Sequence, residues 1–356
     1  GAWDENYDSF GDIETYHPLT SARRKRKDFV DWYMFEMSDW CEKWGIWMRE
    51  ELKSHDIYQS AGGWGYVECG TDFTDQTKSM VKIGGGIRAT NEDESYEVNF
   101  AITRMLSSAA RFYNVPFGSE PAGFGLARSL IGRLFNIIVN NGQHLFYYHP
   151  GFANHDLGSD RWLKYSPLLE QRAYPFIEVG VLYPDTMTKM DDSTIRYLDG
   201  SAFFSQVYSL RRKLDFDYCS EQMVLDGALA KLKVLVFLSR YHNGDHVEAD
   251  VLRRIDEWVA DGGTVIYPVI RSNAVDGPGS LEGDYTIYNK WRSGDVGAGQ
   301  VIFVDAIREP LDQYIDDVVA ELKGMDFLDP LTQTMLSMRK PDQVYASVLE
   351  NGLVVL

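Results

Sequence analysis

The sequence predicts an α/β fold made of two successive parallel sheets. Short β-like runs alternate with amphipathic helical segments, and the turns between them are short, which is the pattern of parallel βαβ units. The notable polar residues of the first series fall just past the ends of its β-like runs. Barrel and open-sheet α/β enzymes place their chemistry there.

The elements follow in order. Residues 21–54 repeat with a helical period, with Phe29, Trp32, Tyr33, Phe35, Met37, Trp40, Trp44, Trp47 and Leu52 expected on the apolar side. "DIYQS" (56–60) reads as a short buried strand running into the loop "AGGWGYVECG". "TDFTDQTKSMVK" (71–82) is a helix capped by Thr71 or Asp72, with Asp75 expected as a surface charge. "GGIRAT" (85–90) is a strand, "EVNFAITRMLSSAARFYN" (97–114) a helix, and "VPFGSE" (115–120) a strand. The helix "LARSLIGRLFNIIVNNG" (126–142) ends at Gly142, and "HLFYYHP" (144–150) closes the series.

"DRWLKYSPLLEQRAY" (160–174) connects to a second series. Its strands are "FIEVGVLY" (176–183), "FDYCS" (216–220), "KVLVFLS" (233–239), "GTVIYPVI" (263–270) and "QVIFVD" (300–305). Helical patterns near 193–212, 246–261 and 310–323 separate several of them, so a doubly wound sheet is expected. The final "QVYASVLENGLVVL" alternates like a hairpin about Asn351-Gly352.

The net charge of −18 argues against nucleic acid, because phosphate contacts need clustered Lys and Arg. The basic run "ARRKRKD" (22–28) opens a predicted helix and reads as its solvated face. No apolar run reaches the roughly 18 residues of a membrane span, so no membrane partner is expected. The opening residues carry no charged stretch followed by an apolar core of the kind a signal peptide needs. Cys41, Cys69 and Cys219 form no CxxC and suggest buried thiols. The histidines lack HxH or HExxH spacing, so neither a metal nor another cofactor is expected. Aromatic residues make up 13%, which suits a protein that stacks sugar rings and equally one with large cores.

In "YNVPFGSEPAGFG" (113–125) the strand ends on Glu120 and turns at once. A carboxylate so placed in a cleft serves as a nucleophile or a general acid/base. A capping or ion-paired glutamate is the plainer reading of the same motif. Trp64 and Tyr66, in the Gly-rich loop after the first strand, either form a stacking platform for a pyranose or fold onto the rim. Tyr148 and His149 end the fourth strand, in reach of a substrate or of Glu120. Asn91-Glu92 lies just past "GIRAT"; Glu92 can bind a sugar hydroxyl, pair with Arg88 or act as an acid.

Residues 1–170 resemble the second half of the catalytic barrel of family 42 glycoside hydrolases, the β-galactosidase group of a large retaining (β/α)8 clan. "AWDENYDSFGDI" is similar to the Trp-rich segment after that barrel's fourth strand, and "RKDFVDWYMFEMSDWCEKWGIWMRE" to the helix leading to the fifth. "NVPFGSEPAG" takes the place of the seventh strand and "NNGQHLFYYHP" that of the eighth. The resemblance implies a C-terminal half of a (β/α)8 TIM barrel, with Glu120 as the nucleophile of a retaining exo-β-glycosidase. It implies an oligosaccharide or glycoside substrate, with Trp64, Tyr66, Arg88, Asn91, Glu92, Tyr148 and His149 as candidate contacts. The clan's Asn-Glu acid/base ends strand four and falls outside these residues, since Glu92 precedes Glu120 by only one βα unit. A non-catalytic carbohydrate-binding or assembly protein, or a glycosidase of another family in the clan, are the alternatives.

Residues 175–325 resemble the same family's trimerisation domain, a flavodoxin/glutamine-amidotransferase-like sheet, which implies a homo-oligomer, trimer or dimer. "KVLVFLS" leads into "RYHNGDH" with no Cys at the elbow that an amidotransferase needs. The expected organisation is 1–158 half-barrel, 159–174 connecting helix, 175–325 amidotransferase-like domain and 326–356 extension with a hairpin. Four βα units leave both sheet edges unpaired, so the half-barrel is expected to be completed by more of the same polypeptide or by another chain.

Overall fold

The computed structural model describes residues 23–53, 56–62, 70–90, 93–120, 127–145, 156–190, 202–238, 246–269, 279–280, 284–305, 312–341 and 343–356. Helix α1 (Arg23–Glu51) leads into β1 (Tyr58–Ala61), α2 (Phe73–Ile83), β2 (Gly86–Ala89), α3 (Tyr96–Phe112), β3 (Phe117–Ser119), α4 (Ala127–Val139), β4 (His144–Leu145) and α5 (Asp156–Tyr165). Asp72 caps α2 by accepting from the Thr74 and Asp75 N–H groups, and Gly84 ends it with a φ of 65°. The four strands are parallel and stand in the order β1-β2-β3-β4.

Side chains alternate across this sheet, as strand geometry requires. Ile57, Ala61, Ile87, Ala89 and Phe117 are buried among the helices. Tyr58 and Ser60, Gly86 and Arg88, Gly118 and His144 share the other face, which is concave. The Tyr58 and His144 rings stack there with centroids 4.9 Å apart. They belong to the two outer strands, which a flat sheet would hold about 14 Å apart at roughly 4.8 Å per strand. Gly86 and Gly118 make the contact possible: a Cβ at Gly86 would sit 2.3 Å from the Tyr58 ring, and one at Gly118 would sit 2.9 Å from the His144 carbonyl oxygen.

The second sheet comprises β5 (Val179–Tyr183), β6 (Asp217–Ser220), β7 (Val234–Val236), β9 (Thr264–Val269) and β11 (Gln300–Asp305). All pair in parallel in the order β6-β5-β7-β9-β11, the 2-1-3-4-5 winding of flavodoxin-like sheets. Its helices are α6 (Asp185–Met190), α7 (Ala202–Lys213), α8 (Glu221–Leu225), α9 (Ala249–Ala260), α10 (Thr286–Arg292) and α11 (Asp312–Lys323). The short pair β8 (His246–Val247) and β10 (Gly279–Ser280) flanks α9, and α12 (Pro330–Ser337) follows α11. The chain closes on an antiparallel hairpin, β12 (Ser347–Val348) and β13 (Val354–Val355), turned at Asn351-Gly352 with Gly352 at a φ of 84°. Among the described residues, no helix is long and apolar enough to cross a membrane.

Two charged clusters join the sheets. From α3, Arg104 donates to Asp215 at 2.9 and 3.1 Å and to Asp217 at 3.4 Å, with Arg104 1% and Asp215 0% exposed. Ser347 of the closing hairpin donates to Asp215 Oδ2 at 2.5 Å, and Arg111 pairs with Asp217. In the second cluster, Lys189 of α6 reaches Asp31 of α1 at 2.9 Å and Asp72 at 3.4 Å.

Three sequence expectations are corrected. Trp32, Phe35, Met37, Trp40, Trp44, Trp47 and Leu52 do not form a buried face of α1; all are exposed. The stripe that packs reads Lys27, Val30, Met34, Ser38, Cys41, Gly45 and Met48. Small residues are needed there because a Cβ at Gly45 would already meet Ile83 of α2 at 2.3 Å. Cys41 is only half-buried, whereas Cys219 is buried. Asp75 is no surface charge: burial, then the neighbouring Asp72, pushes its carboxyl up to about 6.

Arg104→Ala leaves Asp215 buried without its main counter-charge, and is expected to cost about 3–5 kcal/mol in urea unfolding. The exposed pair of Arg253 and Asp250 should contribute under about 1 kcal/mol in the same assay. The folded state binds the Asp75 proton more tightly than the unfolded state does. This carboxyl therefore removes stability as pH rises from about 4 to about 6. Asp75→Asn is expected to be the more stable protein at pH 7, with the difference gone at pH 4. A constant difference across that range would overturn the assignment.

Candidate active site

The site forms where β1, β2 and β3 end. Strand alternation puts Ser60 on the concave face two residues after Tyr58, and Arg88 two residues after Gly86. Glu120 follows β3 two residues after Gly118 and stays on that face. Its own N–H donates to the Ala89 carbonyl at 2.8 Å, and Thr90 N–H donates to Ala61 at 3.2 Å. The ladder thus runs one residue past the strands and fixes the Glu120 backbone against β2.

The Glu120 carboxylate is 18% exposed and the Arg88 side chain 22%. Arg88 Nη2 lies 2.5 Å from Glu120 Oε2, and Ser60 Oγ donates to the same oxygen at 3.2 Å. Arg88 Nη2 also approaches Ser60 Oγ at 3.5 Å. Both contacts fall on Oε2; among the described residues Oε1 takes no hydrogen bond. A charge-assisted pair on one oxygen restrains the carboxylate and leaves Oε1 free of hydrogen bonds to the described residues.

Of the sequence-derived candidates, Glu120 and Arg88 are brought together. Trp64, Tyr66, Asn91, Glu92, Tyr148 and His149 lie outside the described residues. Arg88 pairs with Glu120; its other candidate partner, Glu92, is among the residues outside the description. Ser60 was missed. The alternation in "DIYQS" marks it, since Ser60 shares a face with Tyr58, but a serine at a strand end carries no signal until the strand order is known. Among the described residues, no cluster of three His, Cys, Asp or Glu side chains is placed to hold a metal ion.

No family model and no curated protein matches the sequence. Solved structures match its shape. The chain superposes on a catalytic mutant of Gan42B, a GH42 beta-galactosidase from G. stearothermophilus, with a TM-score of 0.52 at 14% identity over 77% of this chain and 46% of that one. The beta-galactosidase of the Antarctic haloarchaeon Halorubrum lacusprofundi gives 0.52 at 11% identity, over 74% and 45% of the two chains. That of the psychrophilic Marinomonas ef1 gives 0.50 at 11% identity, over 75% and 48%. At such identities the likeness is one of fold: the chain has a GH42-like α/β fold. It spans under half the length of these enzymes.

The spacing that aims Glu120 depends on the bare face of Gly118. Gly118→Ala is expected to push against β4 and cost about 1–3 kcal/mol in chemical unfolding. Gly62→Ala, where an added Cβ meets nothing within 4 Å, is the control and should be close to neutral. Equal effects at the two positions would count against a tight concave face.

Proposed function

We propose that the chain belongs to a retaining exo-β-glycosidase of β-galactosidase type, with Glu120 as the nucleophile. The observation that carries this reading is the Glu120 carboxylate at a strand end, held among the described residues through Oε2 by Arg88 and Ser60. The GH42-like fold supports it.

In this reading Oε1 attacks the anomeric carbon of a β-linked sugar while the bond from that carbon to the leaving oxygen breaks. The transition state has oxocarbenium character, and a covalent glycosyl-enzyme results. The leaving oxygen takes its proton from an acid/base glutamate, which then draws a proton from the water that releases the sugar. That glutamate belongs across the mouth, about 5–5.5 Å from Glu120, as retention requires. We assign it to polypeptide outside these 356 residues. Trp64 and Tyr66 are proposed as the stacking platform, and Asn91, Glu92, Tyr148 and His149 as hydroxyl contacts. Arg88 keeps the nucleophile plane fixed as charge leaves the carboxylate. The 2-1-3-4-5 sheet is proposed as an assembly module of a trimer or dimer. Cys219 supports this over amidotransfer, because it is buried within β6 and burial pushes its thiol up.

A second reading is a non-catalytic sugar-binding or assembly protein. It is favoured by the contacts of Glu120, which among the described residues are a cation and a hydroxyl and include no second carboxylate.

Incubation of the natively purified protein with an activated 2-deoxy-2-fluoro-galactoside should add one sugar mass, and peptide mapping should place it on Glu120. Glu120→Gln should show no adduct, and Arg88→Met should label about 10²-fold more slowly. Failure of the native protein to label with this sugar or with a panel of related 2-fluoro-glycosides would favour the binding reading.

A further inference from the structure

The chain carries a net charge of −18, yet one cleft gathers positive charge. It lies where the end of α7 meets α11 and the stretch between α12 and the closing hairpin, and it measures about 550 Å³. Arg212, Lys213, Arg339 and Lys340 line it, and among the described residues Asp316 is the one acidic group that does so. Because α7 leads directly into β6, the cleft stands at the N-terminal edge of the second sheet. The usual ligand crevice of such a winding lies at the opposite edge.

Two of the four cations are already neutralised. Arg212 pairs with Glu97 of α3 at 2.7 Å, and Lys213 with Asp316 of α11 at 3.0 Å. Arg339 is exposed and makes no hydrogen bond or ion pair with the described residues. Lys340 is half-buried and donates once, to the Lys213 carbonyl at 3.1 Å. That bond caps the C-terminus of α7, whose last carbonyls have no partner within the helix. An ammonium has three donors, so capping leaves two of them for another acceptor. Burial, then the Arg211 guanidinium, push the Lys340 pKa down to about 8; Asp215 pulls the other way, and Lys213 adds to the fall. The charges at 339 and 340 thus have no carboxylate in contact among the described residues.

We infer that the cleft binds a phosphate monoester, with Arg339 and Lys340 on its phosphoryl oxygens and Arg212 and Lys213 adding positive potential. Two uncompensated cations match the double charge of such a group. Arg339 offers a planar fork of donors and Lys340 a point charge, which are the two common forms of phosphate contact. A bare oxyanion fills only a small part of the cleft, and sites of this size hold whole small molecules. The buried Ile315 and Leu336 line it beside the charges and fit the carbon body of an ester. A bound dianion favours the charged form of Lys340, so binding takes up protons near pH 8. The inference does not rest on the chemistry of Glu120.

Isothermal titration calorimetry on the natively purified protein tests it with glucose 6-phosphate, glucose 6-sulfate, inorganic phosphate and glucose. Glucose 6-phosphate should bind at least about tenfold more tightly than the singly charged sulfate ester, and more tightly than inorganic phosphate; glucose should not compete with it. Arg339→Ala should weaken glucose 6-phosphate at least about tenfold. Arg253→Ala, which removes an exposed arginine from α9, should leave its affinity unchanged. Affinity should fall as pH rises from about 7.5 to about 9.5, a range in which the phosphate stays doubly charged. Lys340→Arg should still bind, with that pH dependence gone, because a guanidinium does not titrate there. Equal losses at positions 339 and 253 would reduce the effect to overall charge and overturn the site. Inorganic phosphate binding as tightly as the ester would remove the carbon body from the inference. Absence of binding would sink it outright, and a salt-sensitive dimer on sedimentation that Arg339→Ala dissociates would then assign the cleft to an acidic surface of a second copy.

Discussion

The site depends on how tightly the four-stranded sheet can bend. Bending brings the side chains of its concave face together, and two full-sized residues at positions 86 and 118 would block it. Glycine at both lets the Tyr58 and His144 rings close over bare backbone and stack. Above that layer the same strands carry Ser60, Arg88 and Glu120, and the curvature that joins the rings also brings these three within hydrogen-bonding reach. Floor and site are thus one geometric solution. Register and bend are set below, and the polar residues converge above.

The second constraint is electrostatic. Arg104, Asp215 and Asp217 are removed from water where α3 meets the start of β6, and burial lowers the Arg104 pKa. Such a cluster is favourable only when every member is satisfied. The two carboxylates meet that demand, Asp215 with Arg104, Ser347 and the Phe216 N–H, and Asp217 with Arg104, Arg111 and Ser108, whereas Arg104 Nε is buried without a hydrogen-bond partner among the described residues. An apolar joint would bind as well but would tolerate sliding. This one has a single register, so β6 and the closing hairpin are tied to the helix that runs between β2 and β3.

Much of the fold was legible because it rests on period and punctuation. Asp72 before Phe73 and the Asn351-Gly352 turn are local signals, and each marks a boundary that the sequence suggests. The α1 helix was legible as a helix but not in its orientation. Its tryptophans suggested a core, whereas the packed stripe is set by Gly45 and Ser38, which allow close approach. Bulk indicates hydrophobic character, not which side a neighbour occupies. At the site, Glu120 was legible from the turn that follows it. The Arg88 pairing was not, because three residues separated by 28 and 32 positions meet only through strand order. The raised Asp75 carboxyl was likewise hidden, since the burial that chiefly raises it depends on tertiary packing that local sequence does not show.

In the second sheet, described residues after two of the strands are used to join the sheets. In a 2-1-3-4-5 sheet the crevice lies beyond the C-terminal ends of the strands, near the switch between β5 and β7. Here the residues after β5 and β6 bind one another. Asp185 accepts from the Glu221 N–H at 2.7 Å, while Glu221 accepts from the Thr186 N–H and hydroxyl at 2.9 and 2.6 Å. Each carboxylate caps the helix that the other begins. Beside them, burial alone would lower the Lys189 pKa, but Asp72 and Asp31 outweigh it and hold it well above its ordinary value. That lysine is therefore a fixed cation between α6, α1 and α2, and not a group left for a ligand. Lys189 at this end of the sheet thus seats α1 and α2 of the first sheet. Asp72, which anchors Lys189, also caps α2, so the joint between the sheets and the start of that helix share a single carboxylate.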